Sequence, residues 1–405
     1  MRTNVPTGRR VTAAVALLVA TTLVLGACGN GAEDTTTTGA PAATEATGTT
    51  TGTQATAPTT TEAPADPVRL VYATFTVEDS PYAKAFAWLS EEMNKRTNGR
   101  VTIEPFYAGS LCAFNEMIDC LRDGRADFTL LLPVASPTDF PYSTVGSVLF
   151  VSRDTWAHGE AFNELVADDA RFHDEWASQG MQPLWFASIG PAVLGANEPV
   201  TSIDWLKGKS IRSTGYFSDA LNAVGANPVA MPNSDVYEAI QRGVIDAFYA
   251  STLDGAALDN RHFEVTSDWQ DLGAGEYINI VTAVSQKALD KLTPDEQNTL
   301  FELADQIRRD WFDVYYLPQM DLACDNAIEG GLNSLTIWPD SEMQRFADAA
   351  ADVVRDRWIA DTESTGATGA QEVFDTFVAK VREKEAVSPL EATATERCAA
   401  RFPNS

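Results

Sequence analysis

The residues best suited to hold a ligand lie in the stretch Lys209–Thr252, where Arg212 ends a short predicted strand. A guanidinium stays charged, and its planar fork donates two parallel hydrogen bonds to a carboxylate, so this arginine suits a small organic acid. A structural salt bridge is the alternative role for an arginine beside a turn. Four more candidates lie at or just past predicted strand ends: Tyr216, Tyr249, Ser251 and Thr252.

The sequence predicts no catalytic residue, no metal site and no cofactor. The histidines His158, His173 and His262 are scattered, and none has a metal-ligand partner at helical spacing. The chain contains no G-x-S-x-G nucleophile elbow, no P-loop and no complete G-x-G-x-x-G. We therefore expect a protein that is not an enzyme.

The elements that position Arg212 alternate between strand and helix. Such alternation predicts a parallel sheet, in which ligands bind at the carboxyl ends of the strands. Ser234 is the expected cap of the second helix, and Gly243 its end. The predicted elements are strand Ser210–Ser213, helix Phe217–Val224, strand Pro228–Met231, a helix from Ser234, and strand Val244–Tyr249.

Several motifs in this order resemble the solute-binding proteins of TRAP transporters, the tripartite ATP-independent periplasmic systems. They are GKSIRSTG, GANPVAMP and DVYEAIQRGVIDA, preceded by SPYAKAFAWLSEEMNKRTNGRVTIEPFYAGSL and DCLRDGRADFTLL, within residues 68–384. The resemblance implies an α/β, two-lobed periplasmic-binding-protein-like fold with a hinge and a long helix spanning both lobes. It also implies that Arg212 holds a ligand carboxylate and that TRAP membrane subunits are partners.

Two departures from the family pattern bear on the ligand. Many members carry a second arginine where this chain has Ala192, and an asparagine that falls near Ala250. We therefore expect a carboxylate with an apolar or aromatic body rather than an acidic sugar. The aromatic candidates are Tyr82, Trp185, Phe186, Tyr216 and Tyr249, and a core role is the alternative for each, least so for Tyr216.

The beginning of the chain predicts export and a lipid anchor. Three arginines precede the apolar stretch 11–25, and LGAC follows it, which resembles a lipoprotein signal cleaved before Cys28. Residues 1–27 are then the signal peptide, with an ordinary signal peptide as the alternative. Residues 28–67 are rich in Thr, Ala, Gly and Pro, a composition that predicts a disordered tether. The mature protein should be anchored to the cell membrane, facing the periplasm or cell exterior.

The net charge indicates which partners are unsuitable, and the cysteines predict disulfides. After loss of the three signal arginines, 57 acidic residues stand against 26 basic ones, a net charge of −31. Nucleic acid is therefore an unsuitable partner. Apart from Cys28, four cysteines in an exported chain predict two disulfides, and of three connectivities we favour Cys112 with Cys120 and Cys324 with Cys398. Zinc is the weaker alternative, because no C-x-x-C pair is present.

The lobes are expected to be discontinuous, with a hinge near Ile189-Gly190-Pro191. A capping box at Thr293 should begin a helix to Ile328, with Val314 on its apolar face and a kink at Pro318. We expect the disulfide of Cys398 alone to hold the tail. We also expect Arg212 to contribute little to the stability of the ligand-free protein. The predicted divisions are 68–190 with 278–330, 191–277 with 331–385, and a tail of 386–405.

The sequence therefore predicts an extracytoplasmic lipoprotein that binds a small organic anion and delivers it to TRAP membrane subunits. A receptor for another importer would differ only in its membrane partner. A sensor or scaffold lipoprotein, and an exported hydrolase whose nucleophile and base converge from distant positions, are the remaining alternatives.

Overall fold

The computed structural model describes residues 66–275 and 279–402. The predicted signal peptide, Cys28 and the tether up to residue 65 lie outside these residues. Within the described ranges, no helix is both long enough and apolar enough to cross a bilayer.

The described residues form two separate β-sheets. The first has the strand order β2-β1-β3-β10-β4, and the second β11-β9-β5-β8-β6-β7. The strands are Val68–Ala73 (β1), Val101–Phe106 (β2), Phe128–Leu131 (β3), Met181–Ser188 (β4), Ala192–Ala196 (β5), Ser210–Arg212 (β6), Asn227–Val229 (β7), Ala247–Thr252 (β8), Asp268–Asp271 (β9), Asn279–Ser285 (β10) and Ser334–Ile337 (β11).

Strand directions bring the carboxyl edges of the two sheets to the same crossing. In the first sheet β1, β2, β3 and β4 run parallel and β10 runs against them. In the second sheet only β5 runs against the others. The chain leaves the carboxyl end of β4, passes through residues 189–191, and enters the second sheet at the start of β5. Ligands of open α/β sheets collect at such edges.

Gly190 makes the crossing between β4 and β5 possible. Its φ is +83°, a conformation that L side chains rarely adopt. A Cβ atom at this position would lie 1.9 Å from the hydroxyl oxygen of Tyr316. The position therefore requires glycine on two grounds, conformation and space.

Helices surround both sheets, which gives the two-lobed α/β fold that the sequence predicts. They are Pro81–Arg96 (α1), Met117–Asp123 (α2), Thr155–Asp168 (α3), Ala170–Ser178 (α4), Tyr216–Ala223 (α5), Val236–Gln241 (α6), Gln286–Leu289 (α7), Pro294–Asp310 (α8), Leu317–Glu329 (α9), Asp340–Ser364 (α10), Ala370–Glu385 (α11) and Ala394–Ala399 (α12).

The long helix predicted from Thr293 is interrupted before Pro318 rather than at it. The capping box of Thr293 and Glu296 is present, but Trp311–Tyr316 forms a π-helical segment between α8 and α9. This segment changes the phase of the helix, so Trp311 is buried while Val314 is 56% exposed. The prediction that Val314 lies on the buried face is wrong for this reason, while the kink expected at Pro318 stays a prediction.

Two details around the central stretch also differ from prediction. The hydroxyl of Ser234 hydrogen-bonds to Asp235 and does not cap α6, which follows a 3₁₀ turn at Asn233–Asp235. Strand β8 begins at Ala247 rather than at the predicted Val244, which is exposed. This strand ends at Thr252 rather than at the predicted Tyr249.

Both favoured disulfides are present, Cys112–Cys120 and Cys324–Cys398. The expectation that Cys398 alone holds the tail is wrong, because α12 also makes polar contacts of its own. Thr395 donates to the Asp271 carboxylate at 2.7 Å, and Arg397 pairs with Asp321 at 2.8 Å. The tail is therefore attached both to α9 and to the end of β9.

The strands divide as the predicted lobes do, whereas α11 packs on α3 beside the first sheet. Lys380 pairs with Glu164 at 2.6 Å and Asp168 at 2.8 Å, and the Phe377 ring meets that of Phe162 edge-on. The remaining lobe boundaries stay a prediction.

Candidate functional site

Arg212 ends β6 and is held by main-chain carbonyls. Its Nε donates to the Met231 carbonyl at 3.1 Å, and its Nη1 donates to those of Tyr249 at 3.2 Å and Ala250 at 2.8 Å. The residue is 5% exposed. The guanidinium thus joins the segment after β7 to β8 and places a fixed positive charge at the carboxyl edge of the second sheet.

A β-bulge in β8 supplies two of the three carbonyls. Val193 of β5 pairs with Ser251 and Gly195 pairs with Phe248, so two residues of β8 face one of β5. Ala250, within this bulge, has φ +60°, which is strained for any residue with a side chain. The bulge directs consecutive carbonyls at the same nitrogen, and such local strain is typical of functional sites.

These contacts overturn the expectation that an empty Arg212 supports little of the fold. Hydrogen bonds from a charged donor are among the stronger ones in proteins, and two of these three, to the carbonyls of Tyr249 and Ala250, are buried. Loss of the side chain would leave those acceptors without their donor.

Ser251 and Thr252 lie at the same edge and bond to neighbouring loops. The Ser251 hydroxyl accepts from Asn233 Nδ2 at 3.2 Å. The Thr252 hydroxyl bonds to the Asp254 carboxylate, whose pKa is raised by burial despite that bond. The two residues therefore shape the rim beside Arg212.

The two tyrosines near Arg212 play different parts. Tyr249 is buried, its ring edge-on to Phe217 with centroids 4.6 Å apart, so it offers Arg212 its carbonyl rather than its ring. Tyr216 begins α5 and is half-buried. Burial, and then the charge of Asp361 on α10, raise the pKa of its phenol, which places that hydroxyl near α10.

Tyr82 brings the start of α1 toward the second lobe. Its ring stacks on Trp311 with centroids 5.1 Å apart. Burial raises the pKa of the Tyr82 phenol, and the charges of Asp254 and Asp259 beyond β8 raise it further. Tyr82 therefore lies where three elements meet: α1 of the first lobe, the π-helical segment, and the residues that follow β8 in the second lobe.

Phe186 and Trp185 belong to the packing of the first lobe. The Phe186 ring meets those of Phe162 and Trp176 edge-on, at 4.9 and 5.7 Å between centroids. Both residues line a groove of about 710 Å³ along β4, between α3, α4 and α8. This groove lies on β4 and the first-lobe helices, whereas Arg212 ends a strand of the second sheet.

Three residues near Arg212 were not predicted to belong to the site: Met231, Asn233 and His262. Met231 contributes only a carbonyl, which no side-chain pattern reveals. Asn233 follows it, and His262 approaches Asn233 from 29 residues further along. In the sequence, His262 stands apart from other polar motifs, and nothing there indicated a role at the site.

The described residues contain no group of three or more His, Cys, Asp or Glu side chains arranged to hold a metal ion.

Comparison with known proteins places this arrangement in a family. The model for bacterial extracellular solute-binding protein, family 7, called DctP, matches residues 72–361. The 2,3-diketo-L-gulonate-binding periplasmic protein YiaO of Escherichia coli is 26% identical over 314 residues, covering 75% of this chain and 90% of that protein.

Two further comparisons agree. The C4-dicarboxylate-binding periplasmic protein DctP of Rhodobacter capsulatus is 27% identical over 189 residues, 45% of this chain and 55% of that protein. A TRAP solute-binding protein of Rhodoferax ferrireducens, solved with copurified benzoate, superimposes with a TM-score of 0.68 at 21% identity, covering 79% of this chain and 99% of that one.

Proposed function

The chain belongs to family 7 of the bacterial extracellular solute-binding proteins, and from this premise we propose that it captures a small organic carboxylate for a TRAP transporter. The bound acid is delivered to the membrane subunits of that transporter. A receptor for another importer or a sensor would use the same site with a different membrane partner.

The observation that carries the proposal is the fixed guanidinium of Arg212 at an edge facing the crossing between the lobes. Because carbonyls of Met231, Tyr249 and Ala250 already orient it, a carboxylate meets a charge that needs little reorganisation. Such preorganisation favours binding by reducing the entropy lost when the complex forms.

The body of the ligand is apolar or aromatic in this proposal. Ala192 starts β5 and Ala250 lies in the β8 bulge, and both are buried. Because each side chain is a methyl group, neither supplies a hydrogen-bond donor to the ligand. Tyr82 and Trp311 add stacked rings near the crossing. The benzoate found in the Rhodoferax protein is an acid of this chemical class.

A pair of ligands that match in shape and differ in charge tests the proposal. Thermal unfolding of the mature chain is measured with benzoate, with benzamide and with galacturonate over the same concentrations. We expect benzoate to raise the melting temperature progressively, with the logarithm of its concentration once the site is mostly filled. Benzamide should leave the melting temperature unchanged, because the neutral amide lacks the charge that Arg212 binds. Equal stabilisation by benzoate and benzamide contradicts the proposal.

Ligand binding closes the lobes about Gly190 in this account. The crossing residues 189–191 are short, and the π-helical segment interrupts the helix that accompanies them. Small-angle scattering should show a smaller radius of gyration with saturating acid. An unchanged radius at proven saturation rules out hinge closure.

The protein acts from the membrane surface through Cys28. The LGAC sequence and the tether after it support a diacylglyceryl thioether on that cysteine. Intact-mass spectrometry of protein from membranes should give a lipid-modified N-terminus at Cys28, which a Cys28→Ala variant lacks. An unmodified Cys28 in membrane-derived protein contradicts the anchor.

A further inference from the structure

His262 is a buried histidine whose ring approaches the segment that holds Arg212. It is fully buried, and its ring lies 4.5 Å from that of Phe248, centroid to centroid. Its Nε2 is 3.4 Å from the Asn233 carbonyl oxygen. Since a carbonyl only accepts, Nε2 carries the proton and donates. Nδ1 has no hydrogen-bond partner among the described residues.

Asn233 is held from a second side by β8. Its side-chain amide donates to the Ser251 hydroxyl at 3.2 Å. Met231, whose carbonyl accepts from Arg212 Nε at 3.1 Å, lies two residues before Asn233. His262 and Ser251 therefore fasten the same turn, residues 231–233, against the edge where Arg212 lies.

The ring is neutral in the folded protein. Burial lowers the pKa of His262 to about 4, and the charge of Arg212 lowers it too, while the bond to Asn233 acts the other way. A neutral ring donates through Nε2 without placing a second cation beside Arg212. The His262–Asn233 bond is therefore present throughout the physiological pH range.

We propose that His262 is a positioning residue for Arg212: its Nε2–H holds the Asn233 carbonyl, fixes the turn at 231–233, and thereby aims the guanidinium. The proposal rests on the proposed function, in which that guanidinium binds the acid. His262 itself does not touch the ligand.

Two substitutions separate hydrogen bonding from packing. His262→Phe keeps a ring against Phe248 and removes the donor. His262→Gln restores an N–H near the position of Nε2 while removing the ring. His173→Phe is the matched control, because His173 is exposed and also bonds a carbonyl, that of Ala167 at 3.1 Å. His262→Met serves as a second donor-free variant if the phenylalanine protein does not fold.

The primary readout requires no ligand. In mature protein labelled with ¹⁵N-arginine, hydrogen exchange of the Arg212 Nε–H is followed by NMR, the signal being assigned by its loss in Arg212→Lys. Exchange rates report local opening. We expect exchange about fivefold faster in His262→Phe, the factor for one neutral hydrogen bond, and near wild-type rates in His262→Gln and His173→Phe.

Two results overturn the proposal. Unchanged exchange in His262→Phe shows that the ring does not position Arg212. Equally fast exchange in His262→Gln shows that ring shape rather than the hydrogen bond matters.

A titration with benzoate links positioning to binding. His262→Phe should bind benzoate about fivefold more weakly, again the factor for one neutral hydrogen bond, while its melting temperature stays near that of wild type. Affinity that falls only in step with melting temperature contradicts positioning. If wild type binds no benzoate, the proposed ligand class fails while the exchange experiment still decides the role of His262.

Discussion

Replacing Arg212 with alanine should destabilise the empty protein as well as weaken binding. The side chain makes three hydrogen bonds to the carbonyls of Met231, Tyr249 and Ala250, at 2.8–3.2 Å. These acceptors come from the segment after β7 and from β8. The substitution therefore loosens the carboxyl edge of the second sheet before any ligand arrives.

The cost follows from the number of groups left without partners. Each buried acceptor that loses its donor costs about 1 to 3 kcal/mol, and solvent entry into the vacated space recovers part of this. For two buried acceptors and one half-buried acceptor at one edge we expect the free energy of unfolding to fall by about 3 to 5 kcal/mol. Arg212→Lys keeps the charge without the planar fork and should lose less.

Urea unfolding of the mature chain without ligand measures this effect. Arg242→Ala is the control, because the Arg242 side chain is 71% exposed and pairs with Glu238, which is also exposed. Exposed pairs of this kind contribute about 0.5 kcal/mol. If Arg212→Ala unfolds at the same urea concentration as the control, the carbonyl contacts do not support the fold and our reasoning about them fails.

Three other substitutions test particular backbone and charge features. Ala250→Gly should raise the free energy of unfolding by about 0.5 to 1 kcal/mol in urea titration, because it relieves the +60° φ; a loss of stability would show that the bulge is unstrained. Gly190→Ala should lower the free energy of unfolding by about 3 kcal/mol in urea titration, since its Cβ would lie 1.9 Å from the Tyr316 hydroxyl oxygen. Gly208→Ala should lower it by only about 1 kcal/mol, because Gly208 also has a positive φ, +73°, but no atom within 4 Å of an added Cβ. Equal losses for the two variants would refute the clash. Burial raises the pKa of Glu175 from 4.5 to about 7, so the folded protein keeps a proton that the unfolded chain releases, and stability should fall by at most about 3 kcal/mol as pH rises from 4.5 to 7. Glu175→Gln should remove this fall in pH-dependent melting, and an unchanged pH profile would contradict the assignment.

Local patterns predicted the elements of this protein well. Thr293 and Glu296 form the predicted capping box at the start of α8. The alternation around Arg212 correctly indicated strands whose carboxyl ends share an edge. These features depend on residues close in the chain, where spacing carries the information.

Features set by distant contacts were not predictable. The π-helical segment at Trp311–Tyr316 lies one turn before Pro318, and the spacing of apolar residues did not show that the helix changes phase there. The carbonyl partners of Arg212 arise from a bulge whose register only strand pairing defines. His262 reaches Asn233 across 29 residues, so its role depends on the assembled lobe.

The most direct test of the central claim is the calorimetric affinity of one stabilising carboxylate for wild type, Arg212→Lys and Arg212→Ala. Truncating one partner of a buried charge pair costs about 2 to 5 kcal/mol, so alanine should weaken binding at least about 30-fold, and lysine should recover part of the loss. Each 1.4 kcal/mol changes affinity tenfold. If the alanine variant binds the acid within about twofold of wild type, Arg212 does not lie in the site and the proposed function is contradicted.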